Sequence, residues 1–256
     1  MSKKAEPTRK CEEDIMIIEQ QYRVKLSEIG KNNKITNKAL LGMLEDSGSK
    51  HSDIAGYGIL DIKKTNLTWV LLEWKVEIIR RPEYGENIIV KTWSRAIKKC
   101  YAYRDFEVVD LQGNIIAIAS SKWILINLEN GKIERVPEEL HEKYEPESDK
   151  SVFENEEFEK LLETDESKKE ITYKVRRADI DVNNHMHNLN YIELANEVLP
   201  DEIYEKEECN GIRITYKKEI KINDTVKVKY GIIDNKNIIS IKSEDEKTLH
   251  SIIELK

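Results

Sequence analysis

The chain has 256 residues, 42 Lys and Arg against 49 Asp and Glu, 36% of residues charged, 39% hydrophobic and a net charge of −7. That is enough for one large domain or two smaller ones with a real core, and no apolar run reaches the roughly 18–20 residues of a membrane helix. Cys11, Cys100 and Cys209 are too few and scattered for a disulfide framework, the histidines show no CxxC or HExxH spacing for zinc, and nothing in the charge pattern points to nucleic acid.

In chain order, Met1–Asp14 is charged and lacks an apolar signal core, which reads as a frayed tail on a cytoplasmic protein. Ile17–Val24 is extended. Thr36 to Gly56 is a helical candidate, with Ala39, Leu40, Met43 and Leu44 at spacings of three and four. Long β-like runs follow at Leu67–Ile79, Asn87–Arg95, Ala102–Asp110 and Asn114–Asn127, separated by turn chemistry at Pro82–Gly85 and Gln112–Asn114. Pro137–Glu170 carries 14 acidic and 5 basic residues, so the rest of the chain sums to +2; the stretch reads as a solvated acidic linker.

The second part repeats the plan. Ile171–Arg177 is extended, Asn188–Leu199 is helical until Pro200 stops it, and strand-like runs follow at Gly211–Ile222, Thr225–Ile233, Asn237–Ser243 and Thr248–Leu255. The letters repeat too. Tyr22–Asn33 (YRVKLSEIGKNN) and Tyr173–Asn184 (YKVRRADIDVNN) share five of twelve residues at an offset of 151, and Lys75–Ile78 lines up with Lys217–Ile220. Two helix-plus-meander units are therefore expected: residues 1–136, a linker over 137–170, and residues 171–256. The fold class is α+β, with two long helices packed on one extended antiparallel sheet.

The duplication is a control on function. Asp181, Asn183 and His185 precede the second helix, and the aligned first-half residues are Gly30, Asn32 and Lys34. A turn alone would not need the carboxylate and imidazole in one copy only. Alternate residues of a turning segment can converge beside the free N–H groups of a helix start, and a carboxylate, an imidazole and oxyanion donors are the parts an acyl hydrolase needs. Glu219, with Tyr216 nearby, is expected on the following strand and supplies a second carboxylate.

These residues resemble the acyl-carrier-protein thioesterases, a family of double hot-dog proteins. Asp179–Tyr191 (DIDVNNHMHNLNY) is similar to that family's D-x-D-V-N-x-H-x-N-N-x-x-Y motif, and Tyr216–Ile220 (YKKEI) to its Y-R-R-E-C segment. Leu67–Val76, Ser120–Asn127 and Ile133–Glu138 add to the likeness, which covers about residues 15–256. The resemblance implies Asp181, Asn183, His185 and Glu219 as catalytic residues. It also implies hydrolysis of fatty acyl-[acyl-carrier protein] and acyl carrier protein as partner, with no cofactor or metal. His187 stands where Asn is usual and Ile220 where plant members carry Cys, so a thiol mechanism cannot run at that position.

Asp181 is expected to activate water, with direct attack as the lesser alternative. Which of Asp181 and Glu219 takes the proton stays open. Asn188, Tyr216, Trp69 and Met43 are candidates for binding substrate, although core packing competes for Trp69, Trp74, Met43 and Leu44. Lys98–Lys99, Arg176–Arg177 and Lys217–Lys218 are candidate basic pairs for the acidic carrier. A homodimer is compatible with this reading. The alternatives are an acyl-coenzyme A thioesterase and a non-hydrolytic, dehydratase-like hot dog.

Overall fold

The computed structural model describes residues 17–95, 97–98, 100–164, 166–206 and 209–256; Met1–Asp14, Cys11 and Lys99 lie outside them. The first half runs β1 (Ile18–Arg23), α1 (Asn37–Ile54), α2 (Ile62–Thr65), β2 (Leu67–Ile78), β3 (Asn87–Ser94), β4 (Tyr101–Asp110), β5 (Ile115–Asn127) and β6 (Lys132–Glu134). After α3 (Glu138–Tyr144) come β7 (Lys169–Lys174), α4 (Asn188–Val198), α5 (Asp201–Lys206), β8 (Gly211–Tyr216), β9 (Thr225–Ile233), β10 (Lys236–Ser243) and β11 (Leu249–Leu255). Among the described residues the strands form one antiparallel sheet in the order β1-β3-β4-β5-β2-β8-β11-β10-β9-β7, with β6 paired to β5.

The sheet does not break between the halves. β2 and β8 pair from Glu73↔Thr215 to Glu77↔Gly211, so the two meanders join edge to edge and these strands become the centre of the whole sheet. Alternation decides the faces. Trp74, Phe106, Ile212 and Ile214 point into one core with Leu40, Leu44, Ile192 and Leu194 from α1 and α4. The helices touch where an added Cβ on Gly42 would lie 3.3 Å from Leu189. Among the described residues only one helix is long. α1 has 18 residues and α4 has 11, because Leu199 leaves helical geometry ahead of Pro200 and the chain restarts as α5.

The acidic linker is not merely solvated. α3 buries Leu140 and Tyr144, and the chain then straps the face of the sheet opposite the helices. Trp93 Nε1 donates to Lys150 O (3.1 Å), Val152 N–H to Asp105 Oδ2 (3.0 Å) and Lys75 Nζ to Asn155 O (2.8 Å). Leu161 packs with Ile238 and Ile252, and Lys168 N–H reaches Tyr230 O at 2.7 Å. Gly231 is required there, since a Cβ would lie 2.4 Å from Thr164 Oγ1 and 2.6 Å from Glu166 O.

Candidate active site

Asp181 to His185 form a tight turn. Asp181 N–H donates to His185 O at 2.8 Å, and Asn184 adopts φ 60°, a left-handed position Asn tolerates. Asp181 Oδ1 accepts the N–H groups of Asn183 (2.8 Å) and His185 (3.1 Å). The first half builds the same turn without the carboxylate. Gly30 N–H donates to Lys34 O (2.9 Å), Asn33 has φ 65°, and Asn32 Oδ1 accepts Lys34 N–H (3.1 Å). Turn formation does not explain Asp181. Its Oδ2 makes no hydrogen bond among the described residues, nor does the His185 imidazole.

Glu219 is not on a strand. β8 ends at Tyr216, and Lys217 and Lys218 N–H both turn toward His250 O (2.8 and 3.3 Å). Met186 N–H donates to Ile220 O as Ile35 N–H donates to Pro82 O, and His185 bridges Lys221 as Lys34 bridges Glu83. Glu219 therefore corresponds to Arg81, and the expected match of Lys217–Ile220 to Lys75–Ile78 is out of register. Arg81 is buried, donating to Ile35 O (3.0 Å), Asn37 Oδ1 (2.7 Å) and Cys209 O (2.8 Å). The first copy thus holds Gly, Asn, Lys and a structural Arg where the second holds Asp181, Asn183, His185 and Glu219.

The helix start is less open than expected. His187 is the N-cap of α4, its Nδ1 accepting Leu189 N–H at 3.2 Å, and Asn190 N–H donates to His187 O at 2.9 Å. The Asn188 N–H keeps no acceptor among the described residues. The cap is anchored in turn on Asp179. Its carbonyl accepts His187 N–H (2.8 Å) and Asn190 Nδ2 (3.0 Å).

Asp181, Asn183, His185, Asn188, Tyr216 and Glu219 line a single cavity of about 760 Å³ that continues past Trp69, Leu71, Trp123 and Ile124 of the first half. Tyr191 and Tyr216 stack edge-on in its wall at 5.2 Å. Burial raises both hydroxyls, with Glu219 and Asp181 adding to the effect on Tyr191. Met43 is not in that wall: it is 4% exposed and packs in the main core, as do Leu44 and Trp74. α1 presents Glu45, Gly48, Ser49 and Ser52 to the cavity instead, a stripe of small side chains round one carboxyl. That interruption of the apolar pattern was the available signal for Glu45.

A further polar group, Arg104, lines the cavity, with the buried His51 behind it. Arg104 NH1 donates to His51 Nδ1 (2.9 Å) and Thr92 Oγ1 (3.2 Å); burial lowers the guanidinium to about 10, and burial with Arg104 beside it lowers His51 to about 3. Neither Cys100 nor Cys209 borders the cavity. Among the described residues there is no group of three or more His, Cys, Asp or Glu that could hold a metal.

This pairing of a charged turn with an apolar recess meets two family models. Residues 16–144 match the acyl-ACP thioesterase N-terminal domain and residues 162–254 the C-terminal domain. The chain belongs to the acyl-ACP thioesterase family. Oleoyl-acyl carrier protein thioesterase 1 of Arabidopsis thaliana is 26% identical over 229 residues, covering 84% of this chain and 63% of the relative. Palmitoyl-acyl carrier protein thioesterase of Gossypium hirsutum is 29% identical over 223 residues, covering 82% and 54%. The chain thus spans little more than half the length of these relatives. Among solved structures, an acyl-ACP thioesterase from Bacteroides thetaiotaomicron superposes with a TM-score of 0.83 at 22% identity, covering 94% of this chain and 97% of that one. The 12:0-ACP thioesterase from Umbellularia californica gives 0.83 at 20% identity, covering 94% and 96%. The fold is the family's hot-dog architecture, here in two tandem copies.

Proposed function

We propose that the chain hydrolyses the thioester of fatty acyl-[acyl-carrier protein], releasing a fatty acid and the carrier thiol. The observation that carries this reading is the single cavity. Its mouth holds a carboxylate with an unengaged oxygen, an unengaged imidazole and an open N–H, and its interior is a recess walled by Trp69, Leu71, Trp123 and Ile124 that suits an acyl chain.

In this mechanism the acyl chain lies in the first-half recess and the carbonyl sits at the start of α4. Asp181, held by two backbone N–H groups through Oδ1, takes a proton from water with Oδ2 as the water oxygen attacks the carbonyl carbon. Asn183 and the Asn188 N–H steady the oxyanion. The C–S bond then breaks. His185 and Glu219 hold the water and assist proton movement. No step uses a cofactor.

The carrier approaches the mouth. Lys217 and Lys218 are exposed in the cavity wall beside Glu219 and suit the phosphate of a phosphopantetheine arm. Arg176 is engaged with Asp179 at 2.8 Å, and Lys98 lies 4.0 Å from Glu156, so those basic pairs are poorer candidates. We take residues 1–136 and 171–256 as the functional halves and 137–170 as their tie. The protein is taken as cytoplasmic. The groups named come from one chain, so a homodimer is compatible with the site without being required by it.

A thiol-release assay on matched acyl-[acyl-carrier protein] and acyl-coenzyme A substrates tests this reading, with Asp181→Asn as control. Turnover of the carrier substrate that Asp181→Asn abolishes is expected. Preference for coenzyme A would move the protein to the other thioesterase class, and no release from either would end the hydrolase reading.

A further inference from the structure

We propose that Glu45, a residue of the first half, is the proton donor to the departing thiol in the site that Asp181 serves from the second half. The proposal rests on the thioesterase reading above and adds a catalytic residue to it.

Glu45 lies on the cavity-facing stripe of α1, with Oε1 3.5 Å from His187 Nε2. Because His187 Nδ1 accepts the Leu189 N–H, the proton of the neutral ring sits on Nε2 and points at Glu45. The second oxygen, Oε2, is buried and has no partner among the described residues. A carboxylate with one naked buried oxygen is costly and a carboxylic acid lowers that cost; the side chain is 25% exposed and lines the cavity, so rotation of the carboxyl presents its proton there.

The charges round Glu45 agree. Burial pushes its carboxyl up; Asp181 and Asp46 push the same way, and His187 alone opposes them. Tyr216 faces it from β8, and Lys217 and Glu219 complete the nearby cavity wall. Glu45 shares one cavity with Asp181, and burial there favours its protonated form, the form a general acid needs.

The repeat supplies an independent control. The position related to Glu45 by the offset of 151 is Asn196, and that related to His187 is Thr36. Each half therefore supplies one carboxyl that the other lacks: Glu45 in the first, against Asn196, and Asp181 in the second, against Gly30. The site related to this one by the repeat would pair Gly30 with Asn196 and hold neither carboxyl.

The proton count closes. Asp181 takes a proton as water attacks. When the tetrahedral intermediate collapses, the C–S electron pair goes to sulfur and Glu45 gives its proton to that sulfur. Asp181 then holds a proton and Glu45 is a carboxylate, and transfer from one to the other through water restores both. One water and one thioester become one acid and one thiol.

The leaving group tests this. Glu45→Gln keeps the shape and should lose roughly a hundredfold or more in kcat on acyl-[acyl-carrier protein], whose alkyl thiol needs protonation. On the acyl thioester of nitrothiobenzoate, whose thiolate departs unaided, it should change little. Wild-type kcat should fall at alkaline pH as Glu45 loses its proton, and that fall should be absent in the variant. Equal losses on both substrates with an unchanged pH profile, or no loss on either, overturn the proposal, provided that the variant melts cooperatively like the wild type. If the wild type releases no thiol from acyl-[acyl-carrier protein], the thioesterase reading itself has failed; if it does and only the Glu45→Gln pattern is absent, Glu45 alone is wrong.

Discussion

Two imidazoles stand two residues apart, only His185 lining the cavity, and their surroundings assign them different work. His185 has a side chain without a partner among the described residues and lines the cavity, while its backbone closes the Asp181 turn. The His187 Nδ1 accepts a helix N–H, as Thr36 Oγ1 does for Ala39 at the start of α1 (3.2 Å). Asn is a strong N-cap and offers the same acceptor. His187→Asn should therefore keep near-wild-type kcat, whereas His185→Ala should lose roughly a hundredfold or more, the scale of a missing acid–base group. Steady-state kinetics on two proteins that melt like the wild type checks this. Reversed effects would shift the motif by two residues and reassign Asp181 and Asn183 with it.

One short element holds that motif in place. Arg177–Asp179 form a single 3₁₀ turn, and the Asp179 carboxylate accepts Arg176 N–H (2.8 Å), Arg176 NH2 (2.8 Å) and the Tyr173 hydroxyl (2.5 Å). Burial works against ionisation there, but Arg176 and Tyr173 outweigh it and hold the carboxyl below its usual range. A depressed carboxyl contributes stability above its unfolded value, about 3.9, and loses it as pH falls through the lower folded value. Asp179→Asn should thus cost about 2 kcal/mol at neutral pH. The gap from wild type should close as the solution is acidified below the unfolded value. Melting curves across that range check it, and a gap independent of pH would mean that the carboxylate's charge does not matter. The element was legible as a repeat because its first-half counterpart, Glu28, takes the Lys25 N–H in the same way at 2.7 Å. Glu219 was misplaced for the opposite reason. Four similar letters suggested a strand, whereas the backbone leaves the ladder at Tyr216 to reach His250 O. Backbone departures of that kind leave no periodic trace in side chains.

At the scale of the whole molecule, duplication and helix–sheet packing were readable from shared spacing, but the joining of the halves was not. Glu45 and Asp181 come to line one cavity through packing between the halves, which no local pattern encodes. The strap was hidden because its anchors are mostly carbonyls, at Lys150 and Asn155, with Leu161 an isolated apolar residue among charges. These ties predict that neither half folds alone. Separation would expose the five-pair edge between β2 and β8 and uncover Trp74, Leu44, Ile214 and Leu194, which share one core. It would also divide the cavity between Glu45 and Asp181. Fragments 1–148 and 149–256, made separately, should each lack a cooperative melt, and mixing them during refolding should restore both the transition and thiol release. A fragment that melts cooperatively by itself would show that each half owns a sufficient core, and the strap would then be a tether between two independent domains.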